Sequence, residues 1–104
     1  MKRKPVIPRA LALQDVDDAV AYLVQQQATD AALKMIGSLE AAYIYISKNA
    51  ATGSTRYAHA LDLPGLRTWP LTGHPYLIFY VEQDAHIDVW RVLHMSRDIP
   101  QELQ

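Results

Sequence analysis

The residues best suited to chemistry lie in the second half of the chain, where every basic side chain is an arginine. After position 51 these residues are Arg56, Arg67, Arg91 and Arg97, and no lysine occurs there. Arginine makes bidentate contacts to carboxylates and phosphates and stacks on aromatic rings. Metal-free cleavage of RNA needs cations at the phosphate and an acid–base group. Arg67 and Arg97 are candidates for the phosphate, with His94 as the acid or base.

The overall charge argues against an enzyme that acts on nucleic acid. The chain has 10 Lys and Arg against 11 Asp and Glu, whereas binding to a phosphate backbone normally needs a basic surface. We therefore expect no strong direct binding to nucleic acid. A purely structural role is also open for the same residues, because Asp98 can pair with Arg97 or His94 and anchor the tail.

No pattern in the chain predicts a metal, a cofactor or a covalent nucleophile. There is no cysteine, and the four histidines show none of the usual ligand spacings. His86 and His94 are separated by about 26 Å on one predicted strand, at about 3.3 Å per residue, and cannot share a metal. No phosphate-binding glycine loop and no serine nucleophile motif occurs in the sequence.

Length and composition indicate a single globular domain over residues 1–104. Hydrophobic residues make up 50% of the chain and charged residues 20%, which is normal for a globular protein. No apolar run approaches about 18 residues, and Pro8, Arg9 and Asp15 interrupt the segment behind the basic N-terminus. We expect no membrane span and no secretory signal, and the cysteine-free composition fits the cytoplasm.

The elements that must position the candidate residues begin with two helices. Apolar residues recur every three or four positions over 11–27 and again over 29–48, where Thr29 is a candidate N-cap. The short connection predicts that the helices pack as an antiparallel hairpin. The side chains expected in this hairpin and at its seam with a sheet are Val16, Val20, Leu23, Ile36, Leu39 and Tyr43.

Strands are predicted on both sides of the helical hairpin. Pro5 and Pro8 cannot donate to a β-ladder, so the segment 4–9 suits a short edge strand. The segment 50–65 is predicted to be irregular, and the tail 96–104 is polar. The remaining predicted strands are 66–71, 76–83 and 86–95, of which the last two form a hairpin.

The last predicted strand is apolar on both of its faces. Strict alternation places Ile87, Val89, Leu93 and Met95 on one face, and Trp90 and Val92 on the other. A single helical hairpin covers only one face of a sheet. The second face is then either an exposed partner surface or is covered by the N-terminal segment and the 50–65 loop. Arg91 either faces that side or pairs with Glu82 or Asp88.

The order of these segments resembles the ParE branch of the RelE/ParE toxin superfamily, from bacterial toxin–antitoxin modules. Asp15–Leu23 is similar to the family's first helix, in which an acidic residue precedes an apolar and aromatic segment. Leu63–Arg67 resembles the entry into the sheet, and Pro75–Tyr80 resembles a central strand. Ile87–Asp98 resembles the family's last strand with its His94 and its final Arg-Asp pair, and it is the most specific match.

This resemblance covers about residues 6–100 and implies an α+β domain with an N-terminal strand, an antiparallel helical hairpin and a three-stranded antiparallel sheet. It implies a ParD-like antitoxin as partner, with a C-terminal segment that wraps the helices and the sheet. ParE-type toxins typically inhibit DNA gyrase and are associated with plasmid stabilisation, whereas RelE-type relatives cleave mRNA on the ribosome. The lysines and C-terminal tyrosine of the nucleases are missing here, which favours a gyrase inhibitor over an enzyme.

The resemblance also directs attention to particular side chains. The residues expected on the sheet side to contact a target or antitoxin are Arg67, Trp69, Tyr80, Arg91, His94 and Arg97. The apolar residues of the helical hairpin are expected to receive an antitoxin segment that folds on binding. Two alternatives stay open: a metal-free endoribonuclease that uses Arg67, His94 and Arg97, and a non-toxic module that only binds an antitoxin. Neither a cofactor nor a metal is expected.

Overall fold

The computed structural model describes residues 3–103 and arranges them as a four-stranded sheet with helices against both faces. The elements in chain order are β1 (Val6–Pro8), α1 (Ala10–Gln25), α2 (Thr29–Lys48), a 3₁₀ turn (Ala50–Thr52), α3 (Arg56–Leu61), β2 (Leu66–Pro70), β3 (Tyr76–Glu82), β4 (Ile87–His94) and α4 (Ile99–Glu102). The strands lie in the order β1-β4-β3-β2. The α+β class and both long helices are as the sequence predicts.

The N-terminal strand extends the sheet rather than covering it. β1 pairs in parallel with the first half of β4, with Val6 opposite Ile87 and Pro8 opposite Val89. Its predicted edge position is confirmed, and it spans less than the predicted 4–9. The other three strands pair antiparallel in chain order, so the sheet has four strands rather than three.

α1 ends at Gln25, two residues before the predicted boundary at position 27. The chain turns there because a residue with a left-handed backbone follows the helix. Gln27 has a φ angle of 58°. The N–H groups of Gln27 and Ala28 donate to the carbonyls of Val24 and Leu23 at 3.0 and 2.8 Å. This is a Schellman motif with glutamine at the position that glycine usually takes. It reverses the chain at once and allows α2 to pack beside α1.

A β-bulge in β4 makes the predicted faces of this strand wrong. Phe79 pairs with Arg91 and Tyr80 pairs with Val89, so Trp90 is an extra residue in β4. One extra residue inverts the alternation of side chains beyond it. The residues that pack toward α1 and α2 are Ile87, Val89 and Val92, and those that pack on the opposite face are Trp90 and Leu93.

Both faces of the sheet are buried, but by different parts of the chain. On one face α1 and α2 cover the larger core, in which Ile46 and Ile78 are fully buried. On the other face a smaller core forms around Leu66, Phe79 and Leu93. Neither face is therefore the broad uncovered surface that was one of the two possibilities.

Two short helices close the second face, where an irregular loop and a polar tail were predicted. α3 contributes Tyr57 and α4 contributes Ile99 to the smaller core. Cover by the 50–65 segment is thus the correct alternative, whereas cover by the N-terminal segment is wrong. Asp98 caps α4 by accepting a hydrogen bond from the N–H of Gln101 at 3.3 Å, and Pro100 lies in the first turn. That start signal is readable in the sequence.

Candidate functional site

The residues predicted for the sheet side do not form one surface. His94 and Arg97 lie at the end of β4, in a cleft beside α1. Arg67 and Tyr80 lie under the loop that follows α2. Trp69 packs against α2, and Arg91 sits at the β-bulge. Each place has its own chemistry and is described separately.

The cleft at the end of β4, called the strand-end cleft below, has a volume of about 360 Å³. α1 forms one wall, and β3, β4 and the turn after β4 form the other. The polar and aromatic side chains that line it, and that define it here, are Asp15, Asp18, Tyr22, Tyr76, His94, Ser96 and Arg97. Of the residues predicted for the sheet side, it contains only His94 and Arg97.

The ring of His94 is held in one orientation by its neighbours. The backbone N–H of Ser96 donates to its Nδ1 at 3.0 Å, and the Ser96 hydroxyl lies 2.8 Å from the same atom. Tyr76 meets the ring edge-on, with 5.0 Å between the ring centroids. Because a backbone N–H can only donate, Nδ1 accepts, and a neutral His94 carries its proton on Nε2. Nε2 is then a hydrogen-bond donor and offers no free base.

Arg97 and the two tyrosines give the strand-end cleft its remaining character. Burial raises the pKa of Tyr76; the positive charge of Arg97 opposes this, and Tyr22 adds to it. Arg97 approaches Glu102 at 3.4 Å, and 57% of its side chain is exposed. The Tyr22 side chain is also mostly exposed. The cleft therefore presents one guanidinium and two aromatic rings to solvent or to a ligand.

Arg67 and Tyr80 belong to a second group, the loop corner, defined by Ala50, Gly53, Arg67 and Tyr80. Arg67 donates from Nη1 to the carbonyl of Gly53 at 2.9 Å, and the hydroxyl of Tyr80 donates to the carbonyl of Ala50 at 2.7 Å. Ser54 adds two backbone hydrogen bonds with Thr68, at 2.9 and 3.0 Å. These contacts fasten the loop after α2 to the edge of the sheet.

The expectation that Tyr80 lies on a surface is wrong, because its side chain is fully buried. Burial raises the pKa of Tyr80, and the backbone of Gly53 and the charge of Arg67 partly oppose the rise. Tyr80 sits directly opposite Arg67, whereas His94 sits opposite Tyr76. Arg67 and His94 are thus separated by four residues along the strand direction and by two strand-to-strand spacings. Their Cα atoms are therefore roughly 16 Å apart.

The Arg91 side chain is mostly buried and does not lie on an open surface. It pairs with neither of the predicted partners, Glu82 and Asp88. Its Nε and Nη2 donate to the two carboxylate oxygens of Asp15 at 2.8 and 2.7 Å. It also donates to the backbone carbonyl and carboxylate of Glu102, at 3.1 and 3.3 Å. These acidic partners raise the pKa of Arg91. Arg91 thereby links α1 to α4 across the end of the sheet.

Asp15 has a second role at this position. It accepts a hydrogen bond from the N–H of Val92 at 3.0 Å. β1 pairs only with Ile87–Val89, so within residues 3–103 the second half of β4 has no strand on that side. Asp15 satisfies a backbone group that a further strand would otherwise bind.

Asp88 pairs with Arg9 instead of Arg91. Arg9 donates from Nε and Nη2 to its two oxygens at 3.0 and 2.8 Å, and the indole N–H of Trp90 donates at 3.2 Å. The hydrogen bonds from Arg9 hold the pKa of Asp88 below its ordinary value. The Arg9 guanidinium also lies 4.8 Å from the centre of the Trp90 ring. This cluster fixes the turn from β1 into α1.

Trp69 is half-buried and stacks on Tyr45 of α2, with 4.8 Å between centroids and 19° between planes. Together with small residues of α2, the pair lines a shallow depression of about 460 Å³. Tyr45 was not among the predicted site residues. It is 42% exposed, and it lies three residues after the buried Ala42, so the two side chains are neighbours on α2.

The predicted hairpin residues lie mainly inside the protein. Leu39 is buried, Val16, Val20, Leu23 and Tyr43 are half-buried, and Ile36 is the one that is exposed. Burial, with a contribution from Asp15, raises the pKa of Tyr43 to about 12. Other apolar residues of the two helices are exposed and were not among the predicted site residues, for example Leu13 and Val24 on α1, and Leu33 and Ile44 on α2. Leu33 and Ile44 lie outside the predicted apolar stripe of α2, whereas Leu13 and Val24 belong to the apolar period that predicted α1 and are exposed all the same.

Two further features bear on the kind of site. Within residues 3–103, no cluster of three or more histidine or acidic side chains is arranged to hold a metal ion. No helix in the same range combines the length and the apolar character needed to cross a bilayer.

Comparison with known proteins places the chain in a family. A solved structure described as "Chromosomal ParDE TA system from P. aeruginosa" matches with a TM-score of 0.73 and 19% identity, covering 90% of this chain and 98% of that chain. At this identity the likeness shows the fold alone. A search of curated proteins gave no match. A family model described as "ParE toxin of type II toxin-antitoxin system, parDE" matches residues 6–99. Because that model spans most of the sequence, the protein belongs to the ParE toxin family of type II toxin–antitoxin systems.

Proposed function

We propose that this ParE-family toxin inhibits DNA gyrase by protein–protein contact and that a cognate, ParD-like antitoxin neutralises it. Membership of the family supports both a toxic activity and an antitoxin partner. The observation that carries the mechanism is the separation of the residues that a nuclease would have to combine. Arg67 holds the loop corner, roughly 16 Å from His94, and the buried Tyr80 is not available to a ligand.

The outer side of the helical hairpin supports an antitoxin that covers the helices. Leu13 and Val24 on α1, with Leu33 and Ile44 on α2, expose between 47% and 63% of their surface. Exposed apolar side chains that lie together mark sites of protein–protein interaction. A segment that becomes ordered on binding buries such side chains by laying an apolar face along the helices.

RNA cleavage is the second candidate, because His94 and Arg97 do share the strand-end cleft with two tyrosines. Two features weaken it. The hydrogen bond from Ser96 leaves the neutral imidazole of His94 without a free base. Arg67 cannot join Arg97 on one phosphate, because it lies at the far side of the sheet and is bound to Gly53.

The test is a supercoiling assay with the purified full chain, DNA gyrase, ATP and relaxed plasmid. A parallel reaction supplies ribosome-bound mRNA to the same protein preparation. We expect loss of supercoiling with accumulated cleaved plasmid, intact mRNA, and full recovery of supercoiling when the cognate antitoxin is added first. Arg97→Ala should weaken the inhibition. Arg56→Ala is the matched control, because Arg56 is an exposed arginine on α3, away from the cleft.

Each contrary result selects one of the alternatives. Cut mRNA with normal supercoiling would establish the nuclease and make His94 the residue to substitute. Normal results in both assays, with retained antitoxin binding, would favour a module that only binds an antitoxin. Because gyrase acts on DNA in the cytoplasm, the proposal also places this protein there, with stabilisation of a plasmid as a role consistent with its family.

A further inference from the structure

The uncompensated charge on α1 is negative. The helix carries Asp15, Asp17 and Asp18 and no basic residue. Asp15 is neutralised within the chain by Arg91. Within residues 3–103, no basic group lies within 4 Å of either of the other two carboxylates. Asp18 accepts a hydrogen bond from the neutral amide of Gln14 at 2.7 Å, which leaves its charge unpaired.

Asp18 stands in the strand-end cleft beside two aromatic rings. Tyr22 follows it by one helical turn, so the two side chains share a face of α1. Tyr76 of β3 lines the same cleft, and the Tyr22 side chain is 59% exposed. A carboxylate binds a guanidinium through two hydrogen bonds, and an aromatic face attracts the same cation. Carboxylate and rings together fit the side chain of arginine.

The other charges around the cleft do not reverse this preference. Arg97 contributes a positive charge, but it is paired with Glu102 at 3.4 Å. Arg91 is held by Asp15. Three carboxylates, those of Asp15, Asp18 and Glu102, therefore stand against two guanidiniums. The excess charge is that of Asp18, and an anionic ligand would have to approach it.

We propose that the strand-end cleft receives an arginine side chain from the docking segment of a partner protein. Asp18 pairs with the guanidinium, and Tyr22 and Tyr76 contact its faces. Arginine is among the residues that most often dominate the energy of a protein interface. The inference rests on the proposed function only in requiring a protein partner, because the preference of the cleft for a cation is testable with small molecules.

The experiment is an NMR titration of the full chain with three probes. N-acetyl-arginine amide is the test ligand, N-acetyl-citrulline amide is its neutral isostere, and N-acetyl-glutamate amide carries the opposite charge. We expect the arginine probe to shift the ring signals of Tyr22 and Tyr76 at least fivefold more than either other probe at equal concentration. Asp18→Asn should abolish the difference. Asp17→Asn should keep it, because Asp17 makes the same charge change without lining the cleft.

Three results would overturn the proposal. Equal shifts from the citrulline and arginine probes would show that charge is not recognised. Unchanged arginine shifts in Asp18→Asn would remove the residue on which the argument rests. Larger shifts from the glutamate probe would assign the cleft to anions through Arg97. Selective arginine binding in a chain that leaves gyrase active would support this proposal and overturn only the proposed target.

Discussion

The loop corner and the strand-end cleft contain the same kinds of residue and use them in opposite ways. In the loop corner Arg67 and Tyr80 donate to the carbonyls of Gly53 and Ala50, and the tyrosine is fully buried. In the cleft Arg97 and Tyr22 are more than half exposed. Residue type therefore indicates what a side chain can bind, whereas the surrounding structure decides how much of that side chain stays exposed.

Substitution of Arg91 tests this comparison with the largest expected effect. Arg91 binds Asp15 at the wall of the cleft, and like Arg67 it is held by partners within the chain. Its substitution by alanine leaves the carboxylate of Asp15, only 12% exposed, without its cation. Breaking an enclosed ion pair of this kind costs about 3 kcal/mol in the free energy of unfolding. Arg97→Ala should change that free energy by less than about 0.5 kcal/mol. Urea denaturation of the two variants checks this, and equal losses would contradict the distinction between an arginine enclosed by its partners and one that is mostly exposed.

Gly53 tests how tightly the loop corner is packed. A Cβ at this position would collide with the hydroxyl oxygen of Tyr80 and lie 2.9 Å from the Cβ of Arg67. Gly53→Ala is expected to lower the free energy of unfolding by about 2 kcal/mol, as overpacking of a full site does. Gly37→Ala is the control. It has open space around the new methyl group, and in mid-helix it should raise stability by roughly 0.5–1 kcal/mol. Losses of similar size in both variants, measured by urea unfolding, would contradict the prediction.

Tyr80 and Tyr22 differ in whether the hydroxyl group binds another part of the chain. Tyr80→Phe leaves the buried carbonyl of Ala50 without its donor and should cost about 1–2 kcal/mol of stability. Tyr22→Phe removes an exposed hydroxyl and should be neutral within about 0.5 kcal/mol. Thermal unfolding followed by circular dichroism distinguishes them. A neutral Tyr80→Phe would mean that the loop corner is held by packing and Arg67 alone.

Substitution of Asp88 has the smallest expected effect on stability, and it changes how stability depends on pH. Its pKa is lowered in the folded chain by Arg9. Its ion pair therefore stabilises the fold above the pKa of the unfolded chain and is lost as pH falls through the folded value. Asp88→Asn should flatten the decline of the urea midpoint below about pH 4. Asp84→Asn, in the exposed turn between β3 and β4, is the control, because within residues 3–103 it removes the same charge from a carboxylate that has no cation within 4 Å. A decline as steep in Asp88→Asn as in this control would contradict the prediction.

Much of the fold follows from patterns that one segment carries alone. The apolar period of α1 and α2 predicted both helices, since each must bury one stripe. Pro5 and Pro8 predicted an edge strand, because proline cannot donate to an inner ladder. The motif from Ile87 to Asp98 supported the family. These features need no knowledge of distant contacts.

The arrangement of the candidate site depended on such contacts and was only partly predicted. One extra residue at Trp90 inverts the faces of β4, and alternation alone cannot locate a bulge. The burial of Tyr80 and the enclosure of Arg91 follow from partners that are 30 and 76 residues away. The start of α4 depends on no distant contact, because Asp98 and Pro100 are helix-start signals within the segment itself.

Asp15 and Ser54 bind backbone groups at the edges of the sheet, and these contacts affect how the free chain can associate with another chain. Asp15 takes the N–H of Val92, and Ser54 takes both backbone groups of Thr68. Pro70 has no N–H to offer. Unpaired strand rims are templates for edge-to-edge aggregation and amyloid-like stacking. Among the described strands, these backbone groups of β4 and β2 are therefore not open to pairing with the strand of a second chain.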